Sequence, residues 1–91
     1  MTAILITYDL NKPGQNYDAL YEEIKNLGAT WWHYLDSTWI VAGASLTAEN
    51  VSQKLSKHCD KGDRLLCLNI TGDSSQGLLT QDAWDWIKKY V

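Results

Sequence analysis

The chain has 91 residues, a net charge of −3, and 45% apolar against 21% charged residues. That suffices for one domain around one modest core, with little room for a deep internal cavity. The eight Lys and Arg residues form no stripe, which disfavours general binding to duplex nucleic acid.

Ala3 to Leu10 alternates as a strand should. Ile4, Ile6, Tyr8 and Leu10 form the bulkier set and are expected to face helices, which leaves Thr7 and Asp9 on the other face. Asn11 to Asn16 is rich in turn formers, and Asn16 is an expected N-cap. Tyr17, Leu20, Tyr21, Ile24 and Leu27 then recur at helical spacing, with Gly28 as the stop signal.

Ala29 to Leu35 and Thr38 to Ala42 read as a hairpin about an Asp36-Ser37 turn. A two-residue loop with regular pairing sets Tyr34 against Trp39 and Trp32 against Val41, with Trp31 and His33 on the opposite face. Thr47 is the expected N-cap of a second helix, with Leu46 and Val51 as its staple, Leu55 on its apolar face, and Lys57 and His58 in its last turn. Asp60 to Asp63 is a turn, Arg64 to Thr71 a fourth strand, and Gly72 to Gly77 a polar loop. Thr80 caps a final helix, on which Trp84, Ile87 and Val91 make one stripe and Trp86 with Tyr90 another.

The order β-α-β-β-α-β-α predicts a single α+β domain over residues 1–91, a ferredoxin-like βαββαβ sandwich with an extra C-terminal helix. Two helices cover one sheet face. The other needs the last helix, a ligand or a second copy, and this is the structural reason to expect a homodimer. Cys59 and Cys67 form no metal-binding pattern, and Cys67 reads as a small buried hydrophobe. No leader and no long apolar span is visible, so the expected setting is the cytoplasm, with no membrane partner.

Ile6-Thr7-Tyr8-Asp9-Leu10 resembles the first strand of the small CRISPR spacer-acquisition nucleases. Tyr8 to Gly14, Trp31 to Trp39 and Asp63-Arg64-Leu65-Leu66 are more similar still to the short bacterial and phage proteins of the SinR-like group. The resemblance implies a compact ferredoxin-like homodimer. It places Asp9 at the position where those nucleases hold a divalent metal at the dimer interface. The basic surfaces with which they grip DNA have no counterpart here.

Asp9, ending a central strand, either binds a ligand or metal or accepts hydrogen bonds from the following loop. Magnesium or manganese would be its metal, and Asp36 and Asp73 are further carboxylates by topology alone. The loop after it offers Asn11, Lys12, Gly14, Gln15 and Asn16 at a helix start, either as a phosphate seat or as an ordinary connection.

Trp31, Trp32, His33, Tyr34 and Trp39 are the strongest local anomaly, because consecutive rings on one strand emerge on both sheet faces. They suit base stacking or, as the competing reading, hydrophobic packing in a dimer interface. His33 could move a proton but has no evident nucleophile, Ser37 and Thr38 being near only in sequence.

The leading expectation is a homodimeric binding protein for a nucleotide or nucleotide-derived signal, with phage counter-defence as one possible role. Its ligand residues are Tyr8, Asp9, Asn11, Lys12, Gln15, Asn16, Trp32, His33, Tyr34 and Trp39. No resident cofactor is expected. The alternatives are a magnesium- or manganese-dependent phosphodiesterase or nuclease using Asp9, and a protein-interaction module.

Overall fold

The computed structural model describes residues 1–11 and 17–91. Among these, the elements are β1 (Thr2–Asp9), α1 (Tyr17–Lys25), β2 (Thr30–Leu35), β3 (Thr38–Gly43), α2 (Ala48–Ser56), β4 (Arg64–Asn69) and α3 (Gln81–Tyr90). The four strands form one sheet in the order β2-β3-β1-β4, with every neighbouring pair antiparallel. The result is an α+β fold in which β1 and β3 are central and β2 and β4 are edges.

Side-chain alternation along β1 decides the layering. Ile4, Ile6 and Tyr8 point to the face covered by α1 and α2, where they meet Trp39, Val41, Leu20, Ile24, Val51 and Leu55. Each buried aliphatic side chain there contributes about 1.5–3 kcal/mol. Ala3 and Leu5 point the other way, toward α3, together with Trp32, Ile40 and Ala83.

Local chemistry starts the helices where expected. Thr47 Oγ1 accepts from Asn50 N at 3.0 Å, and Asn50 Oδ1 accepts from Thr47 N at 3.0 Å, closing a reciprocal box. Leu46 and Val51 are both buried in the same core, as a staple requires. Thr80 Oγ1 accepts from Ala83 N at the start of α3. The expected Asn16 cap lies outside the described residues.

Indole chemistry fastens α3 down. Trp32 Nε1 donates to the Ala83 carbonyl at 3.1 Å, and Trp86 Nε1 donates to Thr30 Oγ1 at 3.0 Å. The small Ala83 side chain, fully buried, lets the helix backbone approach the Trp32 ring. This corrects the expected stripe: Ala83, Trp86, Ile87 and Val91 turn inward, and Trp84 is not among them.

The hairpin turn falls at Asp36-Ser37, but the pairing beyond it differs from expectation. Leu35 opposes Thr38 as a two-residue loop demands, whereas Trp32 opposes Ile40 and Trp31 opposes Val41. A β-bulge between Trp32 and Leu35 adds one residue to β2. One extra residue reverses every side chain beyond it. Trp31 and His33 therefore share a face with Trp39, and Trp32 lies under α3, the inverse of the regular register.

Two smaller corrections follow from close approach. Gly28 does not adopt a left-handed conformation. A Cβ there would lie 2.6 Å from the Ala42 carbonyl oxygen, so the glycine serves backbone contact rather than a left-handed cap. Helix α2 ends at Ser56 with Lys57 as C-cap, so His58 lies beyond it and reaches across to Glu23 Oε1 at 3.3 Å.

Candidate functional site

The bulge gathers rings on the α1 side of the β2 edge. The His33 imidazole stacks on the Trp39 indole, with centroids 3.7 Å apart and planes 11° from parallel. Trp31 meets Trp39 at 5.4 Å, and Tyr21 meets Trp39 at 5.3 Å and His33 at 5.6 Å. Tyr17, one helical turn before Tyr21, lies 5.8 Å from it and extends the train outward. Trp39 is buried at 1% exposure, whereas Trp31 is 43% exposed and carries the Lys25 ammonium 5.2 Å from its ring centroid. Trp31, Tyr17 and Lys25 are thus the accessible rim of a cluster whose floor is closed.

A hydrogen-bonded chain ties this cluster to the end of the sheet. Trp39 Nε1 donates to the Tyr8 hydroxyl at 3.2 Å, and that hydroxyl donates to the Asp36 carbonyl at 3.3 Å. His33 Nε2 lies 3.0 Å from the same carbonyl, which can only accept, so Nε2 carries the proton. Burial pushes the Tyr8 phenol far above the ordinary tyrosine value. The phenol is therefore neutral and structural at physiological pH. With Nε2 committed to a backbone oxygen, His33 is held as a ring, and this contact does not pair it with a nucleophile.

The expected ligand residues separate into groups. Tyr8, His33 and Trp39 come together in the ring cluster. Trp32 lies under α3 at 2% exposure, with Tyr34 beside it at 5.3 Å, on the opposite face. Asp9 alternates with Tyr8 and projects from the far side of β1, opposite Arg64 in the β1–β4 register. With Thr7, Arg64 and Leu66 it lines a shallow concavity of about 250 Å³. Asn11 is drawn to the α2–β4 turn, its N–H donating to Asp63 Oδ1 at 2.8 Å. Lys12, Gln15 and Asn16 lie outside the described residues.

Among the described residues, no three His, Cys, Asp or Glu side chains are grouped to hold a metal ion. Both thiols are half-buried and free, and burial raises the pKa of each. No helix among the described residues is long and apolar enough to cross a membrane.

Sequence reading missed Tyr17, Tyr21 and Lys25 as parts of the cluster. The four-residue Tyr17–Tyr21 spacing was a usable signal, since it stacks two rings on one helix face. The Asp36 carbonyl left no signal, because a backbone group at a turn looks alike in any sequence. In comparisons with protein-family models, curated proteins and solved structures, nothing matches this chain.

Proposed function

We propose that this chain is a ferredoxin-like binding protein, homodimeric and cytoplasmic, that holds a nucleotide or nucleotide-derived signal on the rim of its ring cluster. The observation that carries the reading is the half-exposed Trp31 indole, backed by buried Trp39 and flanked by Lys25. An aromatic face of this kind stacks on any base, and an adjacent ammonium suits an attached phosphate. The order β4-β1-β3-β2, with a helix following each of β1 and β3, supports the ferredoxin-like assignment. A relationship to the SinR-like group and the CRISPR spacer-acquisition nucleases is part of the same proposal, as is a role in sequestering a host signal.

Leu66 and Leu68, 52% and 45% exposed on edge strand β4, support the dimer. They lie on the sheet face shared with α3, where α3 leaves them uncovered, and an unpaired edge beside them invites a second strand. Catalysis by Asp9 has less behind it, since no second described carboxylate joins Asp9 in lining its concavity.

Isothermal calorimetry across linear and cyclic nucleotides tests the ligand. Saturable heat is expected for at least one, and Trp31→Ala should weaken it by about 5- to 150-fold, the worth of one stacked base. No heat with any nucleotide overturns the binding reading. Sedimentation velocity tests the dimer separately. Leu66→Asp with Leu68→Asp should convert a dimer to a monomer, and a wild-type monomer at high concentration overturns that part alone.

A further inference from the structure

A second concavity lies on the opposite side of the sheet, between α3 and strands β1 and β3. Its volume is about 270 Å³. Its floor is apolar, built from Leu5 and Ile40 of the sheet and Ile87 of α3. Its mouth is polar, formed by Asp73, Ser74 and Ser75 in the loop that follows β4. Among the described residues, Asp73 is the only charged side chain lining it. The groove shares none of these residues with the ring cluster around Trp39.

We propose that this groove binds a small amine with an apolar ring body. The volume lies just below the range of about 300–1,000 Å³ that holds drug-sized ligands, which limits the occupant to a single or fused ring. The floor is mostly apolar, with the Trp32 indole and Thr38 also lining the groove, so burial of the ring drives entry. Orientation comes from the mouth. An ammonium head is complementary to the Asp73 carboxylate and can donate to the two serine hydroxyls beside it. A carboxylate head would meet Asp73 with like charge. The site thus discriminates by head charge at constant body.

A matched series isolates that charge: tryptamine, the neutral alcohol tryptophol and indole-3-acetate, each titrated into the ¹⁵N-labelled protein and followed by NMR. Tryptamine should perturb the amides of Ser74, Ser75 and Ile87 saturably, with a Kd on the order of 1 mM for a ligand of this size. It should bind about threefold more tightly than tryptophol, as expected for one exposed charged contact, and indole-3-acetate should bind most weakly. Asp73→Asn should erase the difference between amine and alcohol while leaving the alcohol's affinity unchanged. Asp85→Asn, an acid on α3 that does not line the groove, should leave the preference intact. Raising the salt to 1 M should shrink the preference in the wild type.

An unperturbed spectrum with all three ligands overturns the site. Equal affinity for the amine and the alcohol, or a preference that survives Asp73→Asn, overturns the role of the carboxylate. Perturbations centred on Trp31 and Tyr21 instead place the amine on the ring cluster and overturn the groove assignment.

Discussion

The His33 imidazole lies flat on the Trp39 indole at 3.7 Å, and this contact exists only because β2 carries one residue more than β3 across the bulge. His33 shields the indole face that would otherwise open toward the β2 edge. His33→Ala should cost about 1–3 kcal/mol in urea unfolding, from the lost stack on Trp39 together with the lost donor to the Asp36 carbonyl. Tryptophan emission should shift to longer wavelength in the same variant, and not when His33→Ala is made in a Trp39→Phe background. An unchanged midpoint and unchanged emission would show that the stack contributes nothing.

Trp32 holds α3 by one hydrogen bond and by its ring. Trp32→Phe keeps a six-membered ring but removes the rest of the indole with its N–H, leaving the Ala83 carbonyl without its donor and a gap beside it. The expected cost is about 2–4 kcal/mol. Hydrogen exchange should accelerate selectively across α3, while β1 and β3 amides change only with global stability. Uniform acceleration would show that α3 is no separate unit.

The Tyr8 phenol makes stability depend on alkaline pH. Its folded pKa is raised, so between the ordinary value near 10 and the folded value the native state holds a proton that the unfolded state has released. The contribution is therefore complete below about pH 10 and is lost as the pH rises beyond it. Urea midpoints should fall between pH 9.5 and 11.5 more steeply in the wild type than in Tyr8→Phe. Parallel slopes in the two proteins would contradict the burial argument. Tyr8→Phe should itself cost about 1–2 kcal/mol at neutral pH, because Trp39 Nε1 loses its acceptor.

Gly28 and Ala42 approach too closely for a side chain between them. Gly28→Ala should destabilise by about 1–3 kcal/mol through forced backbone displacement. Chemical-shift changes should concentrate at Ala29, Ala42 and Leu46. A neutral substitution would mean that β3 yields there easily.

Much of the fold was readable because each element carried its own start signal and period. Thr47, Thr80 and the alternation of Ile4, Ile6 and Tyr8 are local, and local chemistry determined them. The face of β2 was not readable. The bulge among Trp32, His33, Tyr34 and Leu35 has no glycine to mark it, and β2 begins with rings that suit either side. Which indole went inward depended on Ala83, more than forty residues away, being small enough and offering a carbonyl to Trp32. The ring cluster was half legible for the same reason: Tyr8, His33 and Trp39 were named, but their meeting with Tyr17 and Tyr21 depends on where α1 settles.

The hairpin tip at Asp36-Ser37 accepts from the Tyr8 hydroxyl, from His33 Nε2 and, through the Ser37 carbonyl, from the Tyr8 N–H at 3.1 Å. Hairpin tips are ordinarily where a chain tolerates lengthening. Here the tip works as a rivet, so splicing a tag or loop into it would loosen the interior beneath, and a graft after Gly72 or Ser75 would test the second groove instead.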